Sequence, residues 1–175
     1  DHCEDPTLVA KGVMHEGEVA TRLGLRGIPA AAEEVMVARD VILSQLTGGK
    51  VHIAHLSTRG ALERVREAKG RGLPVTCEVT PHHLALTDAR VAATDYDTNT
   101  KMNPPLRSAD HVEALLAGVG DGTVDCLATD HAPHHADEKA QEFDLAPFGI
   151  VGLETAVPVT YDLLVRQRKL PLRLF

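Results

Sequence analysis

Tryptophan is absent from the 175 residues, and with only two tyrosines and three phenylalanines the chain has little aromatic surface on which nucleic-acid bases could stack. Basic patches are scarce too. Lys and Arg total 18 against 25 Asp and Glu, for a net charge of -7. The short basic runs at residues 64–71 and 166–173 read as solvated helix or tail faces, so no nucleic-acid partner held through phosphate contacts is expected. No apolar stretch approaches the roughly 20 residues of a bilayer span, and no signal-peptide pattern opens the chain. The expectation is a cytoplasmic protein with no membrane partner. The three cysteines, Cys3, Cys77 and Cys126, are odd in number and far apart, which fits neither a disulfide framework nor a CxxC zinc pair. Each lies in or beside an apolar strand pattern and is expected to be a buried, reduced thiol.

Hydrophobic residues make up 43% of the chain and charged residues 25%, ordinary values that exclude disorder, collagen and coiled coil. The length suffices for one domain with its own core. Residues 31–46 carry Val35, Val37, Ala38, Val41, Ile42 and Leu46 at near-helical spacing, with acids in the first turn and Gly48-Gly49 as a stop, which predicts a helix. A strand follows at 50–57, then a helix capped by Thr58 that runs through Leu62, Val65 and Ala68 and ends near residues 70–72. Residues 73–79 read as a strand, 109–117 as a helix, 123–128 as a strand and 153–168 as a last apolar helix. This alternation predicts βα units on a parallel sheet. Two long irregular segments, 87–108 and 131–152, interrupt it after strands and are expected to wall a site over the sheet's carboxyl edge.

Ten histidines are the chemical signal. The apolar run 124–127 leads into Ala128-Thr129-Asp130-His131-Ala132-Pro133-His134, as a buried parallel strand does when its last residues emerge where barrel enzymes place ligands and acid-base groups. A polar loop turned by Pro133 is the bland alternative. The feature recurs: His2 ends one strand, His52 and His55 lie in the next, and His82 and His83 follow a third. Neighbouring parallel strands lie about 4.8 Å apart, so such ends can converge, and zinc favours a set of His and carboxylate. A hydrolase site with one or two metals is the inference. Strand alternation puts His52 and His55 on opposite faces; His55, at the strand end beside Ser57, is the expected ligand and His52 a supporting residue. His82 and His83 are either ligands or shapers of their loop. His15 and His111 are expected on an exposed loop and a helix surface.

Six ordered stretches carry a family resemblance. Asp1-His2-Cys3-Glu4-Asp5, His52-Ile53-Ala54-His55-Leu56-Ser57-Thr58, Glu78-Val79-Thr80-Pro81-His82-His83-Leu84, Met102-Asn103-Pro104-Pro105-Leu106-Arg107, Ala128-Thr129-Asp130-His131-Ala132-Pro133-His134 and Phe148-Gly149-Ile150-Val151-Gly152-Leu153-Glu154-Thr155 resemble successive motifs of class I dihydroorotase, in the amidohydrolase superfamily. Allantoinases and dihydropyrimidinases share the plan, and Asn103 before the prolines favours dihydroorotase. The resemblance implies an α/β fold in which residues 1–175 are the C-terminal part of a (β/α)8 TIM-type barrel, about strands five to eight. It implies zinc, about two ions per full-length chain. His2 and His55 would hold one ion, and Asp130 the other while acting as general acid-base. Asn103, His134 and the backbone of Phe148 and Gly149 would bind the small-molecule substrate, dihydroorotate or N-carbamoyl-aspartate. The implied reaction is the reversible ring closure of de novo pyrimidine biosynthesis.

The chain also departs from the family. The His-x-His pair of the first barrel strand and the bridging carboxylate of the fourth do not occur, and Asp1-His2-Cys3 reads as a strand end whose strand lies upstream. A fragment is therefore expected, inactive and poor at binding metal in isolation, with an active full-length parent. Two other readings stay open: a noncatalytic dihydroorotase-like subunit that partners aspartate transcarbamoylase, and a hydrolase of hydantoin or allantoin. The resemblance leaves two protein partners open, a second copy of the chain and the transcarbamoylase.

Overall fold

The computed structural model describes residues 1–172, in which short parallel strands alternate with helices. The order is α1 (Pro6–Val9), β1 (Met14–His15), α2 (Glu18–Leu23), β2 (Gly27–Ile28), α3 (Ala31–Thr47), β3 (Val51–Ile53), α4 (Arg59–Gly70), β4 (Val75–Val79), α5 (Pro81–Ala85), α6 (Ala89–Ala93), α7 (Ala109–Gly120), β5 (Cys126–Leu127), α8 (Ala136–Lys139) and α9 (Ala156–Thr160). A 3-10 turn at Thr98–Thr100 and a π-helix at Tyr161–Gln167 complete it. No helix among the described residues is long and apolar enough to cross a membrane.

The predicted helices form for the predicted reasons. Glu33 and Glu34 occupy the first turn of α3, and Gly48, at φ 72°, ends it by donating to the Ser44 carbonyl. Thr58 caps α4 by accepting from the Ala61 N–H, one of the donors a helix start leaves unpaired. Helix α7 runs past the expected residue 117 to Gly120. The expected last helix, 153–168, starts later and changes register: α9 passes into the π-helix, where the Arg168 N–H reaches back to the Leu163 carbonyl. The two irregular segments hold α6 and the 3-10 turn in one case and α8 in the other.

Strands β3, β4 and β5 pair in parallel in that order, with Val51 opposite Val75 and Glu78 opposite Cys126. Two backbone bonds extend the sheet beyond β3, from the Asp1 amine to the His52 carbonyl at 2.6 Å and from the Ala54 N–H to the Asp1 carbonyl at 3.0 Å. At the other side, His131 bridges Ile150 in parallel. Along β4 the side chains alternate: Val75, Cys77 and Val79 are buried and Thr76 and Glu78 are not. The buried face packs with Leu62 and Val65 of α4 and Leu115 and Val119 of α7. These helices approach closely at Gly118, where a Cβ would stand 2.8 Å from Leu62 Cδ2. The parallel pair β1 and β2, a separate small sheet, was not foreseen in the sequence.

The burial of several side chains differs from the expectation. Cys3 and Cys77 are buried, with thiols that burial pushes up to about 12, but Cys126 is exposed, because β5 turns it to the face of Glu78 and away from the helices. His15 is 7% exposed; it lies in β1 and not on an exposed loop. His111 is half-buried on α7, where its Nδ1 accepts from the Arg59 N–H. The basic run at 64–71 does more than face solvent, since Arg66 binds Asp121 and Lys69 binds Asp125, tying α4 to the turn before β5. In the run at 166–173, Arg166 pairs with Asp162 and Arg168 with Glu113; Arg173 lies outside the described residues.

Candidate active site

His2 and His55, from distant stretches, meet at the carboxyl edge of the sheet with His2 Nδ1 2.9 Å from His55 Nε2. Strand β3 ends at Ile53, and His55 takes φ 36°, so the alternation that separates His52 from its neighbours does not extend to His55. Its backbone N–H instead donates to Glu78, whose other oxygen lies 3.1 Å from His52 Nε2. Burial first, and then the facing His2, push the His55 pKa down, while the charge of Asp130 pulls it up. Asp130 follows β5 at φ 45°, a left-handed conformation that Asp tolerates better than most residues. Among the described residues it makes no hydrogen bond with either imidazole.

Three buried polar atoms lack a hydrogen-bond partner among the described residues: His55 Nδ1, His82 Nε2 and Asn103 Oδ1. His82 is close enough for His55 to depress its pKa, which burial chiefly drives down to about 4. Asn103 joins the group through Glu4, whose Oε2 takes the Asn103 amide nitrogen at 2.6 Å and lies 3.3 Å from His2 Nε2. Buried polar atoms are nearly always satisfied, and these three, beside a histidine pair, are open to a partner from outside the described residues. His83, in contrast, is fully committed, to Thr80 Oγ1 and the Pro104 carbonyl, and shapes its loop.

Two other donor sets converge among the described residues, His52 with Glu78 and Cys126, and Asp1 with Cys3 and Asp40. Neither contains His2, His55 or Asp130. The first lies on the polar face of the sheet, where His52 also bonds Thr76.

The walls come from the irregular segments. His134 Nε2 donates to the Phe148 carbonyl at 2.9 Å, and the Gly149 N–H donates to the Lys101 carbonyl. Both main-chain groups nominated from the sequence are therefore engaged, and the single donor of Gly149 is fully used. Lys101, 2% exposed, sends its ammonium to the carbonyls of Asp144 and Ala146 and lies over the Phe148 ring. Lys139 bonds the carbonyls of Thr98 and Pro147. Gly149, at φ 156°, has no room for a side chain: a Cβ would stand 2.5 Å from the Ala132 carbonyl and 2.8 Å from the His134 ring. Gly149→Ala is expected to cost about 1–3 kcal/mol, read as a lower thermal midpoint, because a backbone carbonyl cannot step aside as a flexible side chain can.

Behind the site lies a buried charge network that the sequence did not reveal. Glu33 accepts from the N–H and hydroxyl of both Ser57 and Thr58. Arg107 donates to Ser57 Oγ, to the Ile28 carbonyl and to His15 Nδ1, 3.6 Å from Glu33. Burial, followed by the Arg107 charge, pushes His15 from the ordinary 6.5 down to about 4. A base with a depressed folded-state pKa costs nothing above pH 6.5. Below it the unfolded chain takes a proton that the folded chain refuses, so stability falls as the pH drops from 6.5 to about 4. His82 acts in the same window. The thermal midpoint is expected to fall over that range, and less steeply in His15→Asn.

Residues 1–61, which include His2 and His55, match a family model described as dihydro-orotase-like. Over 162 residues the chain is 66% identical to a dihydroorotase of Anaeromyxobacter dehalogenans (strain 2CP-C), covering 93% of this chain and 37% of that protein. It is 62% identical over 164 residues to a dihydroorotase of Pelotomaculum thermopropionicum, covering 94% of this chain and 38% of that one. Among solved structures, the L-hydantoinase (dihydropyrimidinase) from Arthrobacter aurescens superposes with a TM-score of 0.85 at 25% identity, over 99% of this chain and 39% of that chain. The D-hydantoinase (dihydropyrimidinase) from a Thermus species gives 0.83 at 25% identity, with the same coverage. The chain thus spans under two fifths of the length of these relatives.

Proposed function

We propose, from a chain similar to dihydroorotases over 93% of its length, that residues 1–175 form the second half of a (β/α)8 barrel, about strands five to eight, of a zinc-dependent dihydroorotase. The observation that carries this reading is the pair of imidazole nitrogens, His2 Nδ1 and His55 Nε2, facing each other at 2.9 Å, with the Asp130 charge acting on His55. The donors fit a metal. Imidazole nitrogens and carboxylate oxygens are donors that zinc favours, and burial keeps His55 in the neutral form that ligates. His2 and His55 would hold one ion and Asp130 a second. Bound there, zinc would supply a Lewis acid that polarises the ring amide carbonyl and lowers the pKa of water.

The chain's own residues do the rest. Asp130, free of hydrogen bonds among the described residues, takes the proton of the attacking water and passes it to the leaving ring nitrogen; in reverse it takes the proton of the carbamoyl nitrogen as the ring closes. Asn103 offers Oδ1 to the substrate. His134, with Phe148 and Gly149, fixes the wall against which the ring rests. The resulting activity is the interconversion of dihydroorotate and N-carbamoyl-aspartate, a step of pyrimidine biosynthesis.

The test is hydrolysis of dihydroorotate, with zinc content measured in parallel, on the whole protein that carries these residues, beside hydantoin and allantoin as competing substrates. Turnover of dihydroorotate with bound zinc supports the reading. Preference for hydantoin would move the assignment to the relatives that share the fold, and a folded, zinc-free, inactive protein would move it to a noncatalytic subunit.

A further inference from the structure

Glu4 touches both halves of the proposed site through one atom. Its Oε2 lies 3.3 Å from His2 Nε2 and 2.6 Å from Asn103 Nδ2. A carboxylate oxygen accepts and does not donate, so the chemistry of both neighbours is decided by this contact. His2 must carry its ring proton on Nε2, which leaves a lone pair on Nδ1, the nitrogen facing His55 at 2.9 Å. The oxygen and nitrogen of an amide are told apart by their partners, and Glu4 requires the nitrogen of Asn103. That leaves Oδ1 as the atom turned elsewhere, buried and without a partner among the described residues.

We propose that Glu4 is the positioning residue that sets the donor and acceptor pattern of this site: it holds His2 in the tautomer that ligates through Nδ1, and it turns Asn103 so that an acceptor meets the substrate. The inference rests on the metallohydrolase reading above. On the metal side, a carboxylate that takes the remote N–H of a ligating histidine fixes the ring's orientation and raises its basicity. On the substrate side, the outcome is a selection rule. Oδ1 accepts, so Asn103 recognises an N–H, that of the cyclic amide or of the opened carbamoyl group. It does not bind the substrate's carboxylate, which is itself only an acceptor. His134 does not exchange roles with it, since its Nε2–H is held by the Phe148 carbonyl.

The test compares wild type, Glu4→Leu and Glu4→Gln in the whole protein that carries these residues. Leucine keeps much of the bulk and removes the acceptor, whereas glutamine keeps one oxygen able to accept from both neighbours. Zinc affinity, read by competition with a chromogenic chelator and without substrate, is expected to fall about 10- to 100-fold in Glu4→Leu and to return most of the way in Glu4→Gln. The preference for dihydroorotate over its analogue methylated at the amide nitrogen should shrink by about tenfold or more in Glu4→Leu. At saturating zinc the loss should fall mainly on KM. A Glu4→Leu protein that binds zinc and discriminates like wild type overturns the proposal, as does a Glu4→Gln protein no better than the leucine variant. A wild type that neither binds zinc nor turns over dihydroorotate overturns the functional reading itself.

Discussion

Arg107→Met is expected to destabilise the fold by about 3–5 kcal/mol, the cost of leaving a buried charge without its partner. Arg107 and Glu33 are 2% and 4% exposed by side chain and lie 3.6 Å apart. Glu33 cannot turn to solvent, because it receives the N–H and hydroxyl groups of Ser57 and Thr58, the start of α4. Methionine fills the space of the arginine stem and removes the cation that balances Glu33. The Ile28 carbonyl, Ser57 Oγ and His15 Nδ1 lose their donor at the same time. Adding Glu33→Gln to Arg107→Met is expected to recover part of the loss, since an amide oxygen still accepts from Ser57 and Thr58 and brings no uncompensated charge. Thermal unfolding of both variants beside wild type checks this; a single variant within about 1 kcal/mol of wild type would show that the pair contributes no more than an exposed one.

In the whole protein that carries these residues, the proposed mechanism has Asp130→Asn lower dihydroorotate turnover by about 10³-fold, within the range that general acid-base groups supply, and leave the thermal midpoint unchanged. Asparagine adopts the left-handed conformation at Asp130, φ 45°, with little strain, and the side chain has no hydrogen bond among the described residues to lose. Asparagine cannot take up and release a proton, which is the role proposed for Asp130. Alanine would be a less clean probe, as its left-handed backbone is strained. A turnover within about tenfold of wild type would remove Asp130 from the proton path. The variant should also leave His55 with a lower proton affinity, because the Asp130 charge is one of the influences that raise it.

The elements legible in the sequence were those whose causes are local. Helices α3 and α4 announce themselves through apolar spacing within one stretch and through Gly48 and Thr58 at their ends; β4 does so through alternation. The approach of His2 to His55 was readable because the segments that lead to them lie side by side, Asp1 bonding His52 and Ala54 in the run before His55. The β1 and β2 strands, two residues each, are too short for a period to show. Glu33, Arg107 and Glu4 stayed hidden for a different reason: their partners are remote, 99 positions apart for Glu4 and Asn103 and 50 for Arg107 and Ser57. Without a fold, an acid at the start of a helix looks like any first-turn acid. The π register at Tyr161–Gln167 likewise leaves no mark in composition, since its residues read as a continuous apolar helix. His15 misleads because histidine at an unassigned position looks solvent-facing until Arg107 is placed beside it.

Lys101 reaches from the segment 87–108 to the carbonyls of Asp144 and Ala146 in 131–152, and Lys139 reaches back from 131–152 to the Thr98 carbonyl, with the Gly149 N–H adding a return bond to Lys101. Segments laced in this way share one opening transition. Neither can loosen without breaking the bonds that order the other, so their amides should exchange with a common free energy of opening and a common response to denaturant. The two segments, separate in sequence, therefore count as a single cooperative unit, and a substitution in one is felt as mobility in both.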